Sequence, residues 1–277
     1  MKKHFTTIIF ILVVLDLVAW GSILFDEFGK QLEFYFFDVG QGDSEMIVMP
    51  GNVKLLIDGG PDNGNAAQQI DSIVPWHDRY IDMVMISHAE LDHFGGLLDV
   101  LERYEVGVFI YNGEGSDSES FKELAKIVKE RKIPVVVINE GDNILHGSST
   151  IAILSAHGTN KNEGALVAKL TSNGVSALFT GDIGKVTELE LIKNKAIQAD
   201  IIKIPHHGSK FSSTLEFLKA VRPKVAVIEV GKNSYGHPTK EVLDRVKNAG
   251  AQLFRTDTDG MVKLVIENGI IRQYKGK

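Results

Sequence analysis

His88, Glu90, Asp92 and His93 lie within six consecutive positions, inside the run Ser87-His88-Ala89-Glu90-Leu91-Asp92-His93-Phe94-Gly95-Gly96. Two imidazoles and two carboxylates set this close suit a divalent ion such as zinc, manganese or iron. A polar surface loop carries such residues only by accident, and three further loops of the same kind make accident a poor account. Thr180-Gly181-Asp182, Pro205-His206-His207-Gly208-Ser209 and Gly236-His237-Pro238 each follow a short apolar run with a metal-ligand or proton-transfer residue. A pair of ions held by such loops lowers the pKa of water and stabilises charge on a phosphoryl or acyl oxygen, so no Ser or Cys nucleophile is needed.

Strands must hold these loops in place. The apolar stretch 81–86 reads as a buried strand leading into the first cluster, and 97–104 has helical spacing behind it. Ahead of it, strands are expected over 34–37, 45–49 and 54–57, with Pro50-Gly51-Asn52 as a turn, and a helix over 66–74. A strand over 106–111, an amphipathic helix over 119–131 with Phe121, Leu124, Ile127 and Val128 inward, and a strand over 135–138 close the first half. The second half repeats this logic. Strands are expected over 151–154, 166–170, 177–179, 201–204, 225–230, 252–254, 261–266 and 270–273, the last two joined at Asn268-Gly269. Helices are expected over 186–194, 214–221 and 240–249, the last with Thr239 as its N-cap. This mixture predicts an α/β (α+β) chain of two packed sheets with helices outside. Along an extended segment His88 and Glu90 would face the same way, while Asp92 and His93 point apart or straddle a bend.

These motifs resemble the metallo-β-lactamase superfamily and, within it, the hydrolase domain of the ComEC competence proteins. Phe37-Asp38-Val39-Gly40-Gln41-Gly42-Asp43-Ser44 resembles the opening signature of that group, and Leu56-Ile57-Asp58-Gly59-Gly60 the first superfamily motif. The stretch from His88 to Gly96 resembles the second motif and Gly181-Asp182 the fourth. His206-His207-Gly208-Ser209, Tyr235-Gly236-His237-Pro238 and Thr256-Asp257 with Gly260 resemble the remaining elements. The resemblance covers 33–277. It implies a four-layer αββα sandwich with a site for two divalent ions, zinc or manganese, in the cleft between its halves. It also implies that Asp182 bridges the ions and that a histidine at 206 or 207 completes the second. Two positions depart from the pattern. Glu90 stands where the superfamily has His and ComEC proteins have Asp, and Asn162-Glu163-Gly164-Ala165 stands at the third motif, with His157 as a rival five residues upstream.

The expected metal ligands are therefore His88, Glu90, Asp92, His93, Asp182 and His207. Spacing alone does not choose between His206 and His207. We take His207 as the ligand and His206 as a contact to a ligand or to substrate phosphate. Asp92, His206 and His237 are the candidate catalytic residues. Asp58 and Asp38 are expected to orient ligands from behind, and Asn162 and Ser209 to support the site or touch substrate.

The chain has 277 residues, room for one large domain. A formal charge of −6 provides no broad basic field for nucleic acid, although a bound cation can grip phosphate locally. There are no cysteines, so disulfides and thiolate zinc sites are excluded. Lys2 and Lys3 precede 5–25, which holds fourteen Leu, Ile, Val and Phe residues and one charge, Asp16. That length can cross a bilayer, and the flanking lysines predict a cytoplasmic N-terminus. The expected organisation is a membrane anchor or signal segment with a short linker over 1–31, then a hydrolase domain over 32–277. The domain is expected outside the cytoplasmic membrane, anchored, or secreted after cleavage near Gly21. The expected function is a metal-dependent phosphodiesterase or nuclease on DNA. The alternatives are hydrolysis of a cell-envelope phosphodiester, lactam or lactone, and a catalytically weak metal-binding module. No protein partner is inferable from the sequence.

Overall fold

The computed structural model describes residues 2–24, 31–158, 160 and 162–276. Most of the expected linker therefore lies outside the described residues. The chain opens with helix α1 (Lys2–Leu24). Strands β1 (Leu32–Phe36), β2 (Glu45–Met49) and β3 (Val53–Ile57) follow, then α2 (Asn65–Ile73) and β4 (Tyr80–Met85). Next come the single turn α3 (Leu91–Phe94), α4 (Leu97–Arg103), β5 (Glu105–Tyr111), α5 (Glu119–Glu130) and β6 (Val135–Val137). The second half holds β7 (Asn143–His146), β8 (Ser149–Ser155), β9 (Val167–Ser172), β10 (Val175–Phe179), α6 (Lys185–Asn194) and β11 (Ile201–Lys203). It continues through α7 (Leu215–Val221), β12 (Val225–Ile228), α8 (Lys240–Ala249), β13 (Gln252–Arg255) and α9 (Thr256–Asp259). Finally β14 (Val262–Glu267) and β15 (Ile270–Lys275) return to the first sheet.

One sheet runs β15-β14-β1-β2-β3-β4-β5-β6 and the other β13-β12-β11-β10-β9-β8-β7. Three apolar layers hold the four-layer αββα sandwich together. In β1, Leu32, Phe34 and Phe36 face the space between the sheets, whereas Tyr35 and the following Phe37 face the helices. That is the two-residue alternation of a strand buried on both sides. Phe179 of the opposite sheet lies 6.2 Å from Phe34 and 6.4 Å from Phe36, ring centre to ring centre. A second layer packs α2, α4 and α5 on the first sheet, and a third packs α6, α7 and α8 on the other. In α5, Leu124 and Val128 are buried with Phe121 and Ile127 beside them, and Ser118 caps the helix by accepting from the Phe121 amide at 3.3 Å.

Three elements are not expected from the sequence: β7, α9 and the single turn α3, which lies inside the expected metal loop. β7 carries Ile144 and Leu145 on opposite sides at a sheet edge, where one half-covered face gives little apolar signal. α9 is a single turn of Thr-Asp-Thr-Asp. Thr239 takes the N-cap position of α8, but its hydroxyl does not cap. It donates instead to the Gly208 carbonyl at 3.3 Å, and the Thr239 amide donates to the same oxygen at 3.0 Å, which ties α8 to the loop carrying His206 and His207.

Candidate metal centre

The parallel strands of both sheets end at the same rim. Asp58 follows β3, His88 follows β4, Asp182 follows β10 and the His206-His207 turn follows β11. Crevices at the carboxyl ends of parallel strands are the usual ligand sites of open α/β sheets, and here two sheets contribute to one crevice. The loops interlock through backbone contacts. The Gly59 amide donates to the His93 carbonyl at 2.6 Å, and the Asp43 amide to the Asp92 carbonyl at 3.2 Å. A Cβ on Gly42 would stand 2.3 Å from the Asp92 carbonyl oxygen, so only glycine lets the opening loop lie against the metal loop.

The segment from His88 to Glu90 is not extended. The Glu90 amide donates back to the His88 carbonyl at 3.0 Å, and Glu90 becomes the N-cap of α3. His88 is consequently buried, while Glu90 is half-exposed and lines the open cleft with Asn162, Asp182, His206 and Phe211. The expectation that His88 and Glu90 share a face fails for this reason. Asp92 and His93 follow on the single turn of α3, and both reach the same cluster.

His206 and His207 both adopt left-handed backbone, with φ of 51° at each. Two successive non-glycine residues in this region cost roughly 1–3 kcal/mol each. The turn separates their rings, which stand 6.3 Å apart at 82°. His207 goes into the interior, where its Nδ1 meets the Glu229 carbonyl at 2.9 Å. His206 remains 31% exposed and approaches Asp182 at 3.8 Å.

Ligand atoms of His88, His93 and Asp182 lie within 4.8 Å of one another, as do those of Asp92, His93 and His207 and those of Asp43, Asp182 and His207. The Nε2 atoms of His88, His93 and His207 are buried and, among the described residues, have no hydrogen-bond partner. His93 Nε2 stands 3.5 Å from Asp182, and His207 Nε2 stands 3.4 Å from Asp92 and 3.6 Å from Asp182. None of these approaches is a hydrogen bond. Ligands about 2.1 Å from one ion in a tetrahedron stand roughly 3.4 Å apart, so the spacing fits a shared cation. Burial and the neighbouring His93 push His88 down to about 3, leaving a neutral imidazole ready to ligate. Burial opposes charge on His207, yet Asp182 and Asp43 hold it up at about 10. The cluster is thus an acidic pocket that calls for positive charge, and a divalent ion meets that need.

Asp58 locks the other side of His93. Its carboxylate accepts from His93 Nδ1 at 2.9 Å, from the Ser87 hydroxyl at 2.6 Å and from the Ser87 amide at 2.7 Å. Such partners fix the tautomer and the ring orientation of a ligand. Asp58→Ala should weaken metal affinity about 10–100-fold. Titration against a chelating indicator measures it, and an unchanged affinity in a folded variant would refute the assignment.

Four charged residues in or behind the cluster are additional to the expected site residues. Asp43, Glu45, Lys203 and Glu229 are all buried. Lys203 pairs with Asp43, donates to the Gly181 carbonyl at 3.0 Å and lies 3.8 Å from Asp182. Burial and the charge of Asp43 push Glu45 up to about 8, and burial beside Glu45 raises Glu229 as well. The ion pair of Lys203 with Asp43 places one positive charge within this buried acidic group.

The other anticipated residues are spread more widely. His237 is half-buried, with its ring 5.8 Å from that of His206. Ser209 holds the turn, its amide donating to the His206 carbonyl at 2.8 Å and its hydroxyl accepting from the Phe211 amide at 3.4 Å. Asn162 lines the cleft. The backbone of Asp38 is clasped at both ends by Gln69 of α2. His157 is an exposed residue between Glu114 and Asn139 and belongs to none of the ligand clusters.

Comparison with known proteins agrees with this geometry. Over 261 residues the chain is 28% identical to ComE operon protein 3 of Bacillus subtilis, covering 84% of this chain and 33% of that protein. It is also 28% identical over 242 residues to competence protein ComA of Neisseria gonorrhoeae, covering 85% and 32%. The chain thus spans about a third of the length of these curated relatives. The metallo-beta-lactamase fold protein YhfI of Bacillus subtilis superposes with a TM-score of 0.59 at 11% identity, covering 84% of this chain and 99% of that one. Residues 38–231 match the Metallo-beta-lactamase superfamily, and the chain belongs to that superfamily as one of its metal-dependent hydrolases.

Proposed function

We propose that this hydrolase cleaves phosphodiester bonds of DNA. The observation that carries the reading is the set of three buried, unpartnered Nε2 atoms around Asp182, opening on a cleft of about 500 Å³. The similarity to a protein named for competence supports DNA as the substrate. In this reading His88, Asp92, His93, Asp182 and His207 hold one or two zinc or manganese ions, and Glu90 lies outside the set. The ions would lower the pKa of water and stabilise charge on a phosphoryl oxygen. Asp58 and Asp43 orient His93 and His207. His206, half-open at the cleft, contacts the phosphate, and His237 serves proton transfer to the leaving oxygen.

The test is a substrate panel on the purified chain with zinc and with manganese. It comprises single- and double-stranded DNA, RNA, a phosphorylcholine ester and a lactam. DNA cleavage is expected. Turnover of the lactam or choline ester with no cleavage of DNA would overturn the nuclease reading and leave a hydrolase of another class.

We further propose that 5–25 anchors the domain on the outer face of the cytoplasmic membrane. Among the described residues no helix is long and apolar enough to cross a membrane, and the side chains of α1 are described only from Thr7 to Gly21. Support comes from the apolar side chains between Ile8 and Val18, which are exposed on every face of the helix. A helix that is apolar all round needs a cover. In fractionated cells the chain should follow the membrane and be open to external protease. Full-length chain free in the cytosol rejects the proposal, and a trimmed chain beginning near Ser22 points to cleavage instead.

A further inference from the structure

Two aromatic rings stand in solvent near the cluster, Phe211 on the cleft itself and Tyr235 beside His237. Phe211 is 72% exposed and Tyr235 is 74% exposed. Neither is on a loose tip. The Phe211 carbonyl accepts from the Lys185 amide at 3.2 Å, and the Phe211 amide donates to Ser209. The Tyr235 amide donates to Asn233 Oδ1 at 3.1 Å, while the Asn233 side-chain amide donates to the carbonyls of Gly231 and His237. Both rings are therefore exposed while their backbones are pinned. Phe211 lines the same cleft as Asp182 and His206. An aromatic row also leads from the cluster to the exposed ring of Tyr235: His207 to His206 at 6.3 Å, His206 to His237 at 5.8 Å, and His237 to Tyr235 at 5.8 Å. Each ring also has an exposed lysine close in sequence, Lys210 beside Phe211 and Lys232 before Tyr235, and the Lys210 ammonium lies 5.1 Å from the Phe211 ring centre.

An exposed π-face with an adjacent cation is what a nucleobase and its phosphate need. Phe211 lines the cleft with His206, and Tyr235 lies against His237, so each ring adjoins a residue proposed to meet the scissile phosphate. We propose that Phe211 and Tyr235 are stacking platforms for unpaired bases flanking that phosphate, which makes single-stranded nucleic acid the preferred substrate. Stacking requires bases released from a partner strand, so a duplex presents nothing for these rings to hold. This inference rests on the nuclease reading for its substrate class, and it concerns different residues.

The probe is a short phosphorothioate oligothymidylate carrying one 2-aminopurine, added to the metal-loaded full chain. Binding should quench the 2-aminopurine. Phe211→Ala and Tyr235→Ala should each weaken binding about 5- to 150-fold and reduce the quench. Phe211→Trp and Tyr235→Phe, which keep a ring, should restore both. Equal affinity and quench in the alanine variants, or no quench by the unaltered chain, overturns the platform. Cleavage of the ordinary oligonucleotide is scored separately. Cleavage without quenching removes the platform alone, and quenching without cleavage removes the nuclease reading alone.

Discussion

His93→Ala should release the bound metal and abolish hydrolysis, the largest effect expected of any single substitution in this chain. His93 takes part in three of the four ligand groups, with His88 and Asp182, with Asp92 and His207, and with Asp43 and Asp58. Its ring centre is 4.1 Å from that of His88 and 5.6 Å from that of His207, so it stands at the middle of the cluster. Loss of a partner behind a ligand typically costs 10–100-fold in affinity, and loss of a ligand at the centre should cost more. Elemental analysis of the purified variant should find metal at background. Turnover of a phosphodiester should fall to that of the unaltered chain in chelator. The substitution also leaves Asp58 with one hydrogen bond fewer in a buried place, which costs about 1–3 kcal/mol. Thermal unfolding therefore has to accompany the metal measurement, so that lost metal is read on folded protein. An unaltered chain that works at full rate in chelator would sink the metal-centred mechanism altogether.

The ligand loops were legible because each sits after an apolar strand, and the structure gathers those strand ends at one rim. Neither Glu90 nor the charged group behind the site could be read the same way. An extended segment would set Glu90 beside His88. The backbone turns there, as the Glu90 amide donating to the His88 carbonyl shows, and alternation holds only while a strand lasts. The charged group follows the opposite rule, because there alternation continues to the strand ends. In β2, Glu45 is in phase with Ile47 and Met49, which face between the sheets. Lys203 is in phase with Ile201, and Glu229 with Val225 and Val227. Three strands thus each place a charge on the inner face of the sandwich, at the end where the ligands lie. One acid at such a position is unremarkable in sequence. That two acids and a lysine meet there follows from β2 lying in one sheet while β11 and β12 are neighbours in the other. The choice between His206 and His207 was likewise closed to sequence, since a left-handed turn at both residues is what sends one inward and leaves the other at the cleft. The four-layer architecture was more accessible, because most strands and helices announce themselves by apolar period. The exceptions, β7, α9 and α3, are an edge strand and two single turns, too short to show an apolar period.

His237→Ala should lower phosphodiester turnover about 10²–10⁴-fold, the range expected when a proton-transfer group is lost, and should leave metal content intact. The two halves of this expectation come from where His237 sits. It belongs to none of the clusters of metal-ligand atoms. Its contact with them passes through His206, whose ring lies 5.8 Å away and whose Nε2 lies 3.8 Å from Asp182. Its backbone is fixed by Asn233, which accepts from the His237 amide at 3.0 Å and donates to its carbonyl at 2.8 Å. The imidazole is therefore positioned by its loop and not by the cluster, and removing it should not disturb the ligands. Its Nδ1 is buried and, among the described residues, has no hydrogen-bond partner. A buried polar atom left unpaired costs about 1–3 kcal/mol, a cost that a contact made in the substrate complex would relieve. Paired measurements of turnover and of metal by elemental analysis separate the roles. A fall in turnover with metal retained assigns His237 to the reaction. Parallel loss of metal and turnover makes it a support of the ligand cluster. Full turnover in the alanine variant removes it from the mechanism and leaves His206 as the histidine that meets the phosphate.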